Sequence, residues 1–359
     1  MEHTDLLVIG AGQSGLAAAF EARRAGVSAI VLEASETPAG SWSRYYDSLT
    51  LFSPTRYSSL PGWPFPGDPD RYPTRDEVAG YLAEYAGQFG DAIRLGECVE
   101  AVVPDHAGGF TLTTSSGSEL HAGAVIAASG TFGAPKRPQL PGVEGFTGRV
   151  LHSAEYDAPT RFAGQRVVVV GAGNSAIQIA AELAEVATTT LATRAPVKWF
   201  EQLPLGRDVH WWLGWTRFDT APLSRWLVRL PVSVIDTGRY RAALAAGRPD
   251  RRPMFDRLDG DAVVWSDDSR EPLDALIVAT GYRPHLPYLA GTGALDPDGL
   301  PLHRGGVSST VPGLGYVGLE FQRSFSSNTL RGCARDARHV IAALRPHALD
   351  SRRPAVAAA

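Results

Sequence analysis

The feature that most constrains this chain is a glycine-rich turn that occurs twice, as Gly10-Ala11-Gly12-Gln13-Ser14-Gly15 and as Gly171-Ala172-Gly173-Asn174-Ser175-Ala176. Each follows a short apolar run, Leu6-Leu7-Val8-Ile9 in the first case and Val167-Val168-Val169-Val170 in the second. Such runs suit strands buried on both faces of a parallel sheet. The physics of the turn assigns its residues. Gly10 and Gly171 permit the tight bend, and Gly12 and Gly173 let main chain approach a pyrophosphate. Gly15 and Ala176 let the next helix pack closely on the strand, so that its N-terminal N–H groups, opened by Gln13-Ser14 and Asn174-Ser175, point at phosphates.

Each turn is followed at one offset by a charge, and the signs are opposite. Glu33 stands 23 residues after Gly10, at the end of the apolar run Ala29 to Leu32, and Ala34 follows it. Arg194 stands 23 residues after Gly171, at the end of Thr189 to Thr193. A carboxylate there accepts hydrogen bonds from ribose hydroxyls, whereas a guanidinium suits a 2′-phosphate. Two different dinucleotides are therefore expected, NADPH on the second turn, with electrons passing between them. Arg194 also has a plainer reading as a solvated surface arginine, in which case NADH serves as well.

The expected fold class is α/β, with two Rossmann-like dinucleotide-binding domains. Val125 to Ala128, followed by Ser129-Gly130, and Leu276 to Ala279, followed by Thr280-Gly281, read as strands whose small carboxyl ends admit a cofactor. Proline-rich crossings follow each, at Pro135, Pro138 and Pro141 and at Pro284 and Pro287. The expected layout is a first domain of residues 1–155 and 275–359. The second, 156–274, is inserted into it and carries a Trp/Arg-rich insertion at about 199–258.

Bulk properties narrow the class. A formal net charge of −4 gives no pull toward nucleic acid or anionic lipid. The start Met1-Glu2-His3-Thr4-Asp5 lacks the basic opening of a signal peptide. No apolar stretch approaches the roughly 20 residues that cross a bilayer. A soluble, cytoplasmic protein without stable membrane insertion is expected. Cys98 and Cys333 form no CxxC pair, which argues against a dithiol reductase or a zinc site.

Further motifs then carry a resemblance. Phe146-Thr147-Gly148-Arg149-Val150-Leu151-His152-Ser153-Ala154-Glu155-Tyr156 matches FxGxxxHxxx(Y/F), the identifying motif of flavin-containing monooxygenases, and lies where that family places it, just before the second turn. Gly40-Ser41-Trp42 resembles the family's GGxW segment, and Ala279-Thr280-Gly281-Tyr282 its ATG motif. The chain resembles the short bacterial members most, including flavoproteins linked to cation transport. Tyr156 leans away from Baeyer–Villiger enzymes.

The resemblance implies FAD on the first domain, NADPH on the second, and dioxygen and a small molecule as co-substrates. It implies a flavin C4a-(hydro)peroxide that oxygenates a soft sulfur or nitrogen or a ketone, with the cofactor carrying the chemistry. Ser41, Trp42, Ser129, Gly130, Thr280 and Gly281 would border the cofactors. Gly318, Leu319 and Gln322 would contact the flavin, and Ser326-Ser327-Asn328 would open a helix that offers N–H groups to it. His152 has two readings, a proton-transfer group or a hinge histidine bonded to backbone. Ser53 replaces the Asn of the Asn-Gly-Pro found in larger members, which bears on oxygenated-flavin lifetime, or else it caps a turn.

Between Pro54 and Pro73 the chain places six prolines in 20 residues, and Thr74-Arg75-Asp76-Glu77 then closes the loop as a capping box. The helix it starts carries Val78, Leu82, Tyr85 and Phe89 on one side. Residues 199 to 226 hold Trp199, Trp211, Trp212, Trp215 and Trp226 among Arg207, Arg217 and Arg225, with Arg229 beyond. That stretch reads as a substrate lid or membrane-surface segment, or as an insertion packed on the second domain. Two other functions remain open: an NAD(P)H oxidase releasing hydrogen peroxide, and a flavin-bearing regulatory or transport-accessory protein. A homodimer is the common default.

Overall fold

The computed structural model describes residues 2–106, 108–221 and 233–350. The first apolar run lies in β1 (Glu2–Ile9), where Leu6, Leu7 and Val8 are buried. Helix α1 (Gln13–Arg24) follows, then β2 (Ala29–Leu32) and, after the proline-rich loop, α2 (Arg75–Ala86). The capping box of α2 forms in full, with Glu77 N–H donating to the Thr74 hydroxyl and the Thr74 N–H donating to the Glu77 carboxylate. Val78, Leu82 and Tyr85 are buried, and Phe89 packs beyond the helix end.

Next come β3 (Ile93–Arg94), the hairpin of β4 (Val99–Pro104) and β5 (Phe110–Thr114), and β6 (Glu119–Ala127). β1 lies between β2 and β6, parallel to both, with Leu7 opposite Ile30 and Val125. β7 (Ala134–Pro135) then leaves this sheet.

The second sheet contains β8 (Arg149–His152), β9 (Arg166–Val170), β10 (Thr188–Thr193), β13 (Asp250–Pro253) and β17 (Ala275–Val278). Their order is β13-β10-β9-β17-β8 and all are parallel. Helix α3 (Asn174–Leu183) joins β9 to β10. Between β10 and β13 lie the parallel pair β11 (Trp199–Glu201) and β12 (Val234–Asp236), helix α4 (Val209–Thr216) and helix α5 (Arg239–Ala245). An antiparallel meander, β14 (Arg257–Asp259), β15 (Ala262–Val264) and β16 (Arg270–Pro272), precedes β17.

The chain returns through β18 (Tyr282–Arg283), which pairs antiparallel with β7, so the two proline-rich crossings run side by side. β19 (His303–Arg304), β20 (Val307–Ser308) and β21 (Leu314–Tyr316) complete the first sheet, with β21 parallel to β6. Helix α6 (Cys333–Asp350) packs its Val340, Ile341 and Leu344 with the small face of α1, Leu16 to Ala19 and Ala22, in one core.

Three expectations need correction. β8 and β17 belong to the second sheet, where Val278 pairs with His152, so that domain begins before residue 149 and extends past 278, rather than spanning 156–274. Their all-apolar runs carry no mark of which sheet they join. The expected insertion at 199–258 shrinks to about 199–236, because β13 is the sheet's own edge strand and α5 its crossover helix. Ser326-Ser327-Asn328 does not open a helix, since α6 starts at Cys333. Serine side chains there satisfy main chain locally: the Ser327 hydroxyl accepts the N–H groups of Arg323 and Ser324, both at 3.0 Å, which competes with helical bonding.

Candidate functional site: two uncapped helix N-termini joined by a strap

No side chain caps α1, whose N-cap is Gly12. Its first N–H groups are therefore open to an anion. Around that terminus several backbones approach where no side chain fits. A Cβ on Gly15 would lie 1.8 Å from the Gly10 oxygen, one on Gly40 2.9 Å from the Gly12 Cα, and one on Gly318 2.2 Å from the Ser14 Oγ. Gly10, at φ +102°, takes a conformation that side chains disfavour. A Cβ on Gly12 itself would meet only the Gly40 Cα at 3.5 Å, which leaves room beside the turn.

Glu33 arrives at this turn as expected. Its Oε2 accepts the Ala11 N–H at 2.6 Å, and its Oε1 accepts the N–H and hydroxyl of Ser35 at 3.0 and 2.7 Å. A carboxylate has further lone pairs for ribose hydroxyls, and exposed Ala34 leaves their side open. The turn, its acid and the backbone cradle fit a dinucleotide pyrophosphate and ribose.

Gln13 does more than the motif implies. Its Nε2 donates to the Asn328 carbonyl at 2.6 Å, and its Oε1 accepts the Trp42 indole N–H at 3.1 Å. One amide thus gathers the glycine turn, the Gly40-Ser41-Trp42 segment and the C-terminal turn. Ser41 accepts a long bond from the Tyr45 hydroxyl at 3.4 Å, and the Ser129 hydroxyl pairs with Tyr288 at 2.8 Å. Gly130, at φ +78°, has open space at its missing side chain.

The amide of Gln322 is used within the chain. It donates to the Tyr316 carbonyl at 2.8 Å and accepts the Leu319 N–H at 3.3 Å, which fixes the Gly318-Leu319 turn. Thr131, not singled out by any motif, donates its hydroxyl to the Gly318 carbonyl and accepts the Glu320 N–H. Phe321, at φ +51°, is a strained non-glycine residue in this loop.

The second turn repeats the plan. Gly171 has φ +147°, and a Cβ there would lie 2.4 Å from the Ala279 oxygen and 3.0 Å from the Ala176 Cβ, which explains a small residue at 176. α3 is also uncapped, with Gly173 at its N-cap. Asn174 turns sideways, and its Oδ1 accepts the Ile235 N–H at 3.0 Å. Ser175 lies within reach of Tyr46 from the first domain. Arg194 is exposed and has no acidic partner among the described residues. This set fits a second, phosphate-bearing dinucleotide.

His152 is fully buried. Its Nδ1 accepts the Ala154 N–H at 3.1 Å, so Nε2 carries the hydrogen and donates to the Gly281 carbonyl at 3.1 Å. Burial holds its pKa below the ordinary histidine value. Both nitrogens are engaged by backbone, the arrangement of a neutral joint. The Thr280 hydroxyl donates to the Lys136 carbonyl in the opposite crossing. The Ser53 hydroxyl meets that of Ser58 at 2.8 Å and so closes a turn.

The Trp-rich segment bridges the two domains: Trp199 packs on the core of the second, as one reading expected, and residues 202–219 pack on the first. Gln202 donates to the Phe52 carbonyl at 3.0 Å, and Tyr72 donates to Asp208 at 2.5 Å. Burial would raise the Asp208 pKa, but hydrogen bonds from His210 and Tyr72 hold it below the usual carboxylate range. The Asp219 carbonyl accepts the N–H and hydroxyl of Ser326 at 3.0 and 2.9 Å, and its buried carboxylate pairs with Arg331. Burial first, and Arg335 second, lower the Arg331 pKa to about 10. Residues 202–219 thus form a strap across the loops at 52–72 and 326–331. On α4, Trp211 and Trp215 lie parallel and Trp212 meets both edge-on, with Arg207 over Trp211 and Trp215 72% exposed. Trp226, Arg225 and Arg229 lie outside the described residues. No helix among the described residues is long and apolar enough to cross a membrane.

Comparison with known proteins agrees with this architecture. The family described as pyridine nucleotide-disulphide oxidoreductase matches residues 7–204. A CzcO-like uncharacterized oxidoreductase of Geobacillus kaustophilus is 32% identical over 95% of this chain and 98% of its own. The indole-3-pyruvate monooxygenase YUCCA1 of Oryza sativa is 32% identical over 78% of this chain and 77% of its own. The solved flavin-containing monooxygenase from Stenotrophomonas maltophilia superimposes with a TM-score of 0.84 at 33% identity, covering 97% of this chain and 99% of that one.

Proposed function

The chain belongs to the flavin-containing monooxygenases, within the pyridine nucleotide-disulphide oxidoreductase family, and from that premise we propose that it uses FAD and NADPH to place one atom of dioxygen on a small molecule. The substrate class proposed is a soft sulfur or nitrogen nucleophile, or a ketone. The observation that carries this reading is the pair of uncapped helices, one served by Glu33 and the other by Arg194. FAD, when bound, supplies hydride acceptance at N5 and oxygen activation at C4a.

The residues of the chain do the rest. The α1 turn holds the flavin pyrophosphate and Glu33 the ribose. Gln13, Thr131 and Gln322 fix the main chain at 318–328 that would face the flavin ring. On the second domain, α3 takes the nicotinamide dinucleotide's pyrophosphate and Arg194 its 2′-phosphate. His152 orients the crossing at Gly281 and moves no proton. The strap from Gln202 to Asp219 keeps water from the space between the domains, which favours oxygen transfer over wasteful peroxide release.

The test is NADPH consumption by FAD-loaded protein with a panel of sulfides, tertiary amines, cyclic ketones and indole-3-pyruvate, the compound named for the rice relative. Product carrying label from ¹⁸O₂, with hydrogen peroxide well below NADPH consumed, supports the monooxygenase. Hydrogen peroxide stoichiometric with NADPH for every compound would move the reading to an oxidase. No NADPH consumption by replete protein would favour a non-catalytic flavin-bearing role.

A further inference from the structure

We infer that Arg251 is a second guanidinium of the nicotinamide dinucleotide site and that, together with Arg194, it seats the 2′-phosphate and sets the preference for NADPH over NADH. The inference rests on the proposed placement of NADPH at α3 and names a determinant which the turn motif does not contain.

β13 runs parallel to β10, with Arg251 opposite Leu191 and Arg252 opposite Ala192. The Arg251 side chain reaches toward the carboxyl end of β10, where its Nε donates to the Thr193 hydroxyl at 3.0 Å. Thr193 is buried and immediately precedes Arg194. The edge outside the carboxyl ends of parallel strands is where such sheets bind nucleotides. With Nε tied to Thr193, the terminal nitrogens of Arg251 are held at this edge and left for another acceptor.

Charge partners separate this arginine from its neighbours. Arg252, on the opposite face of the same strand, pairs with Asp250 at 3.1 Å and with Glu271 at 2.9 Å, and Arg166 also pairs with Glu271 at 2.9 Å. Arg251 and Arg194 have no acidic partner among the described residues. The residues outside them, 222–232 and 351–359 included, contain no aspartate or glutamate. A dianionic phosphate seated at this strand end can accept charge-assisted bonds from both guanidinium groups.

Calorimetric binding of 2′,5′-ADP and of 5′-AMP to FAD-loaded protein tests this without turnover. Arg251→Gln should weaken 2′,5′-ADP roughly ten- to a hundredfold and leave 5′-AMP unchanged. Arg251→Lys, which keeps the charge but not the fork, should fall between. Arg252→Gln removes the same charge one residue away and should change neither ligand. The inference is overturned if Arg251→Gln binds 2′,5′-ADP like the parent protein, or if Arg252→Gln loses as much. Equal loss of 5′-AMP in a variant that retains full FAD also overturns it, since the 2′-phosphate is then not what Arg251 senses. Parent protein that binds both ligands equally would instead remove the 2′-phosphate site itself, Arg194 included.

Discussion

The Nε2 of His152, on the edge strand of the second sheet, donates to the carbonyl of Gly281, the residue at which the chain leaves that domain. The same carbonyl accepts the Lys136 N–H at 2.9 Å from the other crossing. One peptide oxygen therefore ties together a strand of the second domain and both connections. Burial keeps the imidazole neutral, and the sign of its pH effect follows. A histidine whose folded pKa is depressed binds a proton more readily when unfolded, so its stabilising contribution is complete above the unfolded value and is lost as pH falls below it. His152→Gln should lower stability at pH 8 by about 1–3 kcal/mol and flatten its decline below about pH 6.5. Thermal melts at pH 8 and 5.5 check this, and an unchanged acid decline would remove His152 as its source.

Gln13→Ala should loosen FAD more than it lowers stability. The substitution removes the bonds to both Trp42 and Asn328, each worth about 1 kcal/mol. The Kd for FAD should then rise roughly tenfold or more, read from flavin fluorescence on dilution. An unaltered Kd would mean that the three segments hold together without the amide.

Asp219→Ala leaves the partly buried Arg331 without its counter-charge, a change that costs up to about 3 kcal/mol. Limited proteolysis should then cut at 202–221 far faster than in the parent protein, and the fraction of NADPH diverted to hydrogen peroxide should rise. A variant in which both stay at the parent level would show that the strap is held elsewhere.

Arg194→Ala should raise KM for NADPH about ten- to a hundredfold with little change for NADH. Steady-state kinetics with the two nucleotides provides the comparison. An equal effect on both would reject the 2′-phosphate assignment.

The nucleotide-binding framework was legible because each part of it is local: an apolar strand, a turn that only glycine can make, and a charge at the next strand's end. Even the fit of Ala176 beneath Gly171 follows from spacing. Strand membership was not legible, since Leu276-Ile277-Val278 is equally apolar for either sheet and only its pairing with His152 and Val170 decides. The strap was hidden for a related reason. Asp208, Asp219, Tyr72 and Arg331 are ordinary polar residues in the sequence, and their contacts span more than a hundred positions. Arg251 escaped because a strand-edge arginine has no signature, and only the structure shows that the adjoining Asp250 pairs with Arg252 instead. Ser326-Ser327-Asn328 misled in the opposite direction, reading as a helix start while the Ser327 hydroxyl ties a turn.

The antiparallel pairing of β7 with β18, Pro135 opposite Tyr282 and Ala134 opposite Arg283, puts the two ends of the inserted domain next to each other. A module bounded by neighbouring strands can be gained, lost or exchanged by recombination without opening the host sheet. The strap would have to be rebuilt, together with the contacts of Tyr46, Ser48 and Leu49 with α3 and its core. On this architecture the nicotinamide module is a cassette that could be exchanged whole, and the strap is the part of it fitted to its host.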